Sequence, residues 1–323
     1  MPAGFTHILL AKHFTNESGL DDSPLGFLLD EKLDYFQLGA VGPDLPYSQV
    51  TSKEMKEIAD LFHNTDATCI PIKALEEIRR MPVGDQKDEC FAFFLGFISH
   101  IVADGIIHPF VRDKVGPYKE GDNATKHRLL EMRLDVIFSD YIQKADLNCA
   151  NFQDELKNPL ASFDHVAELF SKCINSSYSK YTNSSDIKMW VKCMELLFES
   201  AANENNQYYS IVPGLSGFLY KDKSDILASI SDDLILTNKT IDGRSANFRN
   251  SETHFLKDCV PKFFEALKPI SQKAYGYVYE TDNIHKFDNS DLPAINLDTG
   301  RRIDLSNGID GYNLNEPAVY WEL

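Results

Sequence analysis

Paired cysteines are missing from this sequence. Its six cysteines (Cys69, Cys90, Cys149, Cys173, Cys193 and Cys259) are scattered and form no CxxC motif. Free thiols in a cytosolic chain fit that pattern better than a disulfide framework. Basic residues are also scarce. Lys and Arg number 32 against 49 Asp and Glu, so the formal net charge is −17. A surface this acidic disfavours long contacts with nucleic-acid phosphates or anionic lipid. Much of the charge simply confers solubility. Two or three bound divalent ions would make one site locally positive while the rest stays acidic, which favours a compact phosphate-bearing substrate over an extended polyanion. No run reads as approaching the roughly 18 to 20 apolar residues of a membrane span. The start, MPAGFTHILLAKHF, has no basic n-region and no small-residue cleavage site, so neither a signal peptide nor a location outside the cytoplasm is expected. Internal repeats and low-complexity runs are absent.

What is present begins with apolar residues. They make up 43% of 323 positions, enough for the core of one large domain or two modest ones. The densest stretch is 91 to 131, FAFFLGFISHIVADGIIHPFVRDKVGPYKEGDNATKHRLLE. It places His100, Asp104 and His108 at i, i+4 and i+8. Four helical residues advance about 400°, so the three side chains drift only about 40° per step and share one face. The other faces carry Phe91, Phe93, Phe94, Leu95, Phe97, Ile98, Ile101 and Val102, so the helix is mostly buried and its polar stripe is buried with it. Ionisable groups there are costly unless paired or metal-bound. Pro109 predicts that the helix ends at His108 or shortly after. A loop rich in Gly, Asp and Asn follows. Next comes a second helix with His127 and Glu131 at i, i+4. Imidazoles and carboxylates without cysteine suit zinc or another borderline divalent ion. Satisfied core histidines and surface ion pairs are the alternative for any one of these residues. Five of them on two neighbouring helices favour the metal.

Elsewhere, residues 5 to 14 read as a helix opened by Thr6, with His7 in its first turn and His13 on a different face. Asp44 follows Gly42-Pro43, which breaks any helix, so a loop is expected there. Residues 52 to 80 read as two helices, the first with His63 near its C-terminal end. The helix from about Asn123 is expected to continue through LDVIFSDYIQ. Beyond 150, four stretches with 3.6-residue apolar spacing form a helical scaffold: DHVAELFSKCINSSY, SDIKMWVKCMELLFESAANEN, KSDILASISDDLI and FLKDCVPKFFEALKPISQKAYGYVYE. His165 and His254 have no partner at ligand spacing. IVPGLSGFLY, 211 to 220, reads as a buried connector, with a lid or lipid-facing patch as the alternative. From 282 the helical pattern stops. Residues 295 to 305 read as a hairpin turning at Asp298-Thr299-Gly300, and the terminal PAVYWEL is apolar enough to dock. The expected organisation is an all-α domain over 1–281 and a C-terminal extension, 282–323, docked on it.

The ordered set His7, Asp44, His63, His100, Asp104, His108, His127 and Glu131 resembles the zinc-dependent phospholipase C family. That family includes the bacterial phosphatidylcholine-hydrolysing enzymes and the amino-terminal domain of glycosylphosphatidylinositol-specific phospholipase D. Fungal single-strand nucleases are more distantly similar. The resemblance covers about residues 2 to 140. It implies an all-α fold around a cluster of two to three zinc ions. By position, His63, His100 and Asp104 would serve one zinc, and His108, His127 and Glu131 a second. His7 and Asp44 would form part of a third, with Asp44 placed to orient or deprotonate the attacking water. In the bacterial enzymes a mature N-terminal Trp completes the third site. Here, removal of Met1 would put the Pro2 amine and carbonyl five residues before His7, and Pro2 is expected to complete it. The four-residue step from Asp104 to His108 is slightly shorter than in the bacterial enzymes.

The implied chemistry is zinc-dependent hydrolysis of a phospholipid or another small phosphodiester. Metal ions lower the pKa of water and a carboxylate takes its proton. Tyr47, three residues after Asp44, is a candidate headgroup or base contact, or a packing aromatic. Two alternatives stay open: a nuclease or nucleotide phosphoesterase on the same site, and a non-catalytic helical module holding zinc structurally. The acidic charge weighs against nucleic acid. The absence of cysteine ligands weighs against a closed structural site. Transient contact with a membrane surface fits the first reading.

Overall fold

The central helix is buried almost end to end. In a computed structural model, which describes residues 4–49, 52–117, 120–139, 163–178, 180–202, 255–280 and 285–303, nine helices define the frame among the described residues. They are α1 (Gly4–Glu17), α2 (Pro24–Glu31), α3 (Leu33–Gly39), α4 (Lys53–Asn64), α5 (Cys69–Arg79), α6 (Asp85–Val115), α7 (Asn123–Phe138), α8 (Asp164–Tyr178) and α9 (Ser184–Ala202). A tenth, α10 (Val260–Tyr279), follows one π-helical turn at Phe255–Cys259. The fold is all-α, and no β-strand forms among the described residues.

Every residue from Cys90 to Val115 of α6 is buried. Two expectations are corrected here. The helix does not end at His108 but runs through Pro109 to Val115. Proline forfeits one backbone hydrogen bond and crowds the preceding turn, at a cost of about 3 kcal/mol. Ile106, Ile107, Phe110, Val111 and Val115 are buried beside it, and burial of each contributes about 1.5–3 kcal/mol, so continuing the helix wins. The second correction concerns apolar length. α6 does contain an 18-residue window apolar enough to cross a membrane, and that window is wholly buried inside the protein. The helix is thus packed as a core element.

α3 crosses α6 backbone to backbone. A Cβ on Gly39 would stand 1.9 Å from the Phe93 carbonyl oxygen, and one on Gly96 2.1 Å from that of Phe36. Only glycine permits this approach, and it brings the carbonyl of Ala40 against α6. Asp44 is not in an irregular loop as expected. It lies in a 3-10 helix, Gly42–Ser48, which Pro43 suits as an early residue. The Ser48 hydroxyl lies 2.8 Å from the Trp190 carbonyl, tying this turn to α9.

Phe170 of α8 is an aromatic hub. Its ring meets those of Phe62, Phe93, Phe94 and Phe97 at centroid distances of 5.7–5.9 Å, and it meets Trp190 edge-on at 6.3 Å. The scaffold helices thereby pack on the side of α6 that carries no ligand-type residues. Near the C-terminus, the predicted turn is present in minimal form, with one antiparallel bridge between Ile295 and Arg302. Asn296 Oδ1 accepts from the backbone N–H groups of Asp298 and Thr299, each at 3.0 Å. Gly300 closes the turn at φ +67°. Pro2, Cys149, His254, the 211–220 connector, the KSDILASISDDLI stretch and the terminal PAVYWEL lie outside the described residues. So does the predicted continuation of α7 beyond residue 139.

Candidate metal centre

Five elements aim their polar side chains at one point beside α6. The stripe predicted from spacing is there: His100, Asp104 and His108 are buried, Asp104 to 1% exposure. α1 supplies His7 and the 3-10 helix supplies Asp44. The last turn of α4 supplies His63, and α7 supplies His127 and Glu131. All are buried. The start of α1 is fixed to α7 because the Thr6 backbone N–H and hydroxyl both donate to Asp135 Oδ1, at 2.6 and 2.7 Å.

Asp104 stands at the middle. Its Oδ1 lies 3.2 Å from His7 Nε2 and 3.3 Å from His108 Nε2. Its Oδ2 lies 3.1 Å from His100 Nε2 and 3.8 Å from His63 Nε2. Asp44 Oδ1 is 3.1 Å from His63 Nε2. On the far side, Glu131 Oε1 is 3.0 Å from the Nε2 atoms of both His108 and His127. Two atoms bound tetrahedrally to one zinc at about 2.0–2.1 Å stand roughly 3.3 Å apart, so these spacings match a zinc coordination shell. Three groups could each hold an ion: His7 with His100 and Asp104; Asp44 with His63 and His100; and His108 with His127 and Glu131. The last is the set that the resemblance implied for its second zinc. The other two share His100 and divide the remaining residues differently from the resemblance. There, His63, His100 and Asp104 went together, and these three still converge on Asp104 Oδ2.

The donor set also fits a cation by what it lacks. Both oxygens of Asp44, both oxygens of Asp104 and the Nε2 atoms of His63, His100 and His108 are buried with no well-formed hydrogen bond. Buried groups in that state cost about 1–3 kcal/mol each, more when charged. A divalent ion would satisfy several at once.

Backbone carbonyls set the tautomers. The Nδ1–H of His63 donates to the Ala59 carbonyl (2.8 Å), that of His100 to Ala40 (2.8 Å) and that of His108 to Leu297 (2.9 Å). Each turns its Nε2 towards the centre, as second-shell partners do in metal sites. Electrostatics run the same way. Burial pushes the Asp104 carboxyl up, but His100, His108 and His7 hold it well below the usual range. Burial likewise opposes ionisation of Glu131, and His127 and His108 overcome it. Asp44 is held below its ordinary value by His100 and His63, against burial. Burial lowers His108, yet Asp104, Glu131 and Asp298 raise it to about 10. The centre is therefore built around ionised carboxylates.

Tyr47 sits at the edge. Its hydroxyl donates to Asp60 Oδ1 at 2.7 Å and its ring lies 5.3 Å from that of His63. His13 is outside the cluster, and His165 pairs with Glu89 at 2.8 Å elsewhere. Sequence reading missed the carbonyls of Ala59, Ala40 and Leu297, and the carboxylates of Asp135 and Asp298. The carbonyls are backbone groups, which no residue type announces. Asp135, one helical turn after Glu131, was in principle visible from its spacing.

A model describing zinc-dependent phospholipase C matches residues 6–188. No curated protein and no solved structure matches the chain. The matched stretch spans more than half of the sequence and contains every described ligand candidate from His7 to Glu131. On this match and the geometry it encloses, the chain belongs to the zinc-dependent phospholipase C family.

Proposed function

We propose that this protein hydrolyses a phosphodiester with two to three zinc ions, in the manner of a phospholipase C, on a phospholipid headgroup or another small diester. The observation that carries the reading is the convergence of buried carboxylate and imidazole atoms at 3.0–3.3 Å, with the oxygens of Asp44 and Asp104 and the Nε2 atoms of His63, His100 and His108 lacking well-formed hydrogen bonds. His108, His127 and Glu131 would hold one ion. His7, Asp44, His63, His100 and Asp104 would hold the rest, with Pro2 proposed to complete the third site. Ions bound there would neutralise the phosphate and bring the pKa of a water towards 7.

Asp44 is the residue we assign to the proton. It is 1% exposed, and His100 and His63 keep it ionised against burial. A carboxylate so placed accepts a proton at neutral pH and fixes the orientation of the donor. The Ala59 carbonyl holds His63 from behind, with its Nε2 3.1 Å from Asp44 Oδ1. Tyr47, bonded to Asp60 and packed on His63, fits a role in orienting His63 better than a headgroup contact. The net charge of −17 supports a compact substrate and disfavours nucleic acid. The described cysteines are free thiols, which suits a cytoplasmic enzyme with transient contact at a membrane surface.

The test offers zinc-loaded protein phosphatidylcholine micelles, single-stranded DNA and RNA, and a small chromogenic diester side by side. Diacylglycerol release that disappears in Asp44→Asn is the expected result. Cleavage of nucleic acid alone would move the protein to the nuclease reading. Zinc binding with no turnover of any substrate would support a structural metal instead.

A further inference from the structure

The family match stops at residue 188, yet the centre is gripped by a segment more than a hundred residues later. Leu297 uses both ends of its peptide. Its N–H donates to the carbonyl of His63 at 2.9 Å, and its carbonyl accepts from His108 Nδ1 at 2.9 Å. One residue thus touches a histidine on each side of the cluster. The next residue, Asp298, pairs with Arg112, which is 1% exposed and lies one helical turn beyond His108 on α6. The turn is rigid. Asn296 Oδ1 caps Asp298 and Thr299, the Gly300 N–H donates to the Asn296 carbonyl at 2.8 Å, and Gly300 takes the left-handed conformation. A surface tail merely resting on a domain would need neither a buried arginine nor a backbone bond to each of two histidines.

We infer that the turn at 296–300 is a positioning element of the metal centre: Arg112 clamps Asp298, and Leu297 thereby fixes the His63 backbone and the His108 imidazole relative to one another. Leu297, Asp298 and Arg112 are positioning residues. They act through the backbone of His63 and the imidazole of His108. The arrangement couples the two halves of the cluster, because a shift of Leu297 moves its bonds to both. It also assigns a role in the site to a part of the chain outside the family match. The inference rests on the metal reading of the cluster.

Zinc affinity, by competition with a chromophoric chelator, and the visible spectrum of the cobalt-substituted protein test it without relying on turnover. Four full-length proteins are compared: wild type, Asp298→Ala, Gly300→Val and Asp291→Ala. Asp298→Ala removes the clamp. Gly300→Val strains the turn but leaves the Arg112 pair intact, so it decides the matter if Asp298→Ala fails to fold. Asp291→Ala removes the segment's outer anchors, Lys273 and His285, and touches no ligand. The expected result is a loss of roughly tenfold to a hundredfold in affinity for at least one ion in the first two variants, with shifted cobalt bands. Asp291→Ala keeps the wild-type values. Wild-type affinity and spectrum in all variants would overturn the inference, as would equal weakening in Asp291→Ala, which would reduce the segment to general support. A wild type that binds no zinc would overturn the metal reading itself, a different failure from the first two.

Discussion

At the scale of single residues, the centre depends on which groups are ionised. Asp44→Asn keeps the shape and removes the proposed base. Hydrolysis is expected to fall on the order of 10²- to 10⁴-fold, with zinc content reduced by one ion at most, as read by turnover and by metal analysis of the same sample. The zinc-free protein should also carry a distinctive pH signature. His108 is raised to about 10 when folded, so its contribution is fully present below its unfolded value of about 6.5 and is lost as pH rises through 10. Asp104 and Glu131 are depressed, so their contributions are present above about pH 4 and are lost as pH falls through the depressed values. Chelated protein should therefore melt highest near pH 5–6.5 and progressively lower towards pH 10. Because a ligating imidazole must be neutral, zinc binding at about pH 8 should displace the His108 proton. Calorimetry in buffers of different ionisation enthalpy should detect about one proton released; a buffer-independent heat would contradict the assignment. The residue types themselves were readable in the sequence, since His and Asp at four-residue steps on an apolar helix have few other uses. Their partners were not, because the carbonyls of Ala59, Ala40 and Leu297 carry no mark in the sequence.

At the scale of elements, the close crossing of α3 and α6 is what brings the Ala40 carbonyl to His100. Gly96→Ala would put a methyl 2.1 Å from the Phe36 carbonyl oxygen and 2.8 Å from the Ala40 nitrogen. Backbone cannot yield as a side-chain tip can. The variant should lose about 1–3 kcal/mol by denaturant midpoint and also bind zinc more weakly at the group containing His100. Retained zinc affinity despite lost stability would separate the crossing from the centre. Phe170→Ala is the contrasting case. It should cost about 3–5 kcal/mol while leaving zinc stoichiometry unchanged, since its neighbours lie on the aromatic side of α6. Helices at the scale of ten or more residues were legible from periodicity, among them α4, α5, α8 and α9. Local breakers were misleading. Pro109 was overridden by the apolar residues around it, and Gly42-Pro43 opened a 3-10 helix instead of an irregular loop. Both errors have one cause. Propensity acts within a turn, whereas burial acts through contacts from distant parts of the chain.

At the scale of the molecule, metal and core are largely separate supports. The phenylalanine hub around Phe170 and Phe93 contains no ligand-type group, so chelated protein should stay folded at room temperature. It should nonetheless melt lower, because each ion present at a thousandfold excess over its dissociation constant contributes about 4 kcal/mol. Far-ultraviolet circular dichroism with and without chelator measures both quantities; collapse of the helical signal on chelation would make the metal structural. The all-α class and one cluster of residues that could hold metal were readable at this scale. The grip of residues 296–300 on a cluster formed by residues 7 to 131 was not, because long-range pairing leaves no local pattern.

One consequence of the central helix concerns biosynthesis. Between Glu89 and Arg112 the only charged residue is Asp104, in a stretch long and apolar enough to span a bilayer. While the chain is being made, α6 leaves the ribosome before α7 and the C-terminal turn exist to cover it. A membrane-insertion machinery reading that segment would meet a single strong objection, the carboxylate of Asp104, worth about 2.5–3.5 kcal/mol at the middle of a span. The carboxylate at the middle of the ligand cluster is thus also the one formal charge that opposes insertion of the nascent segment.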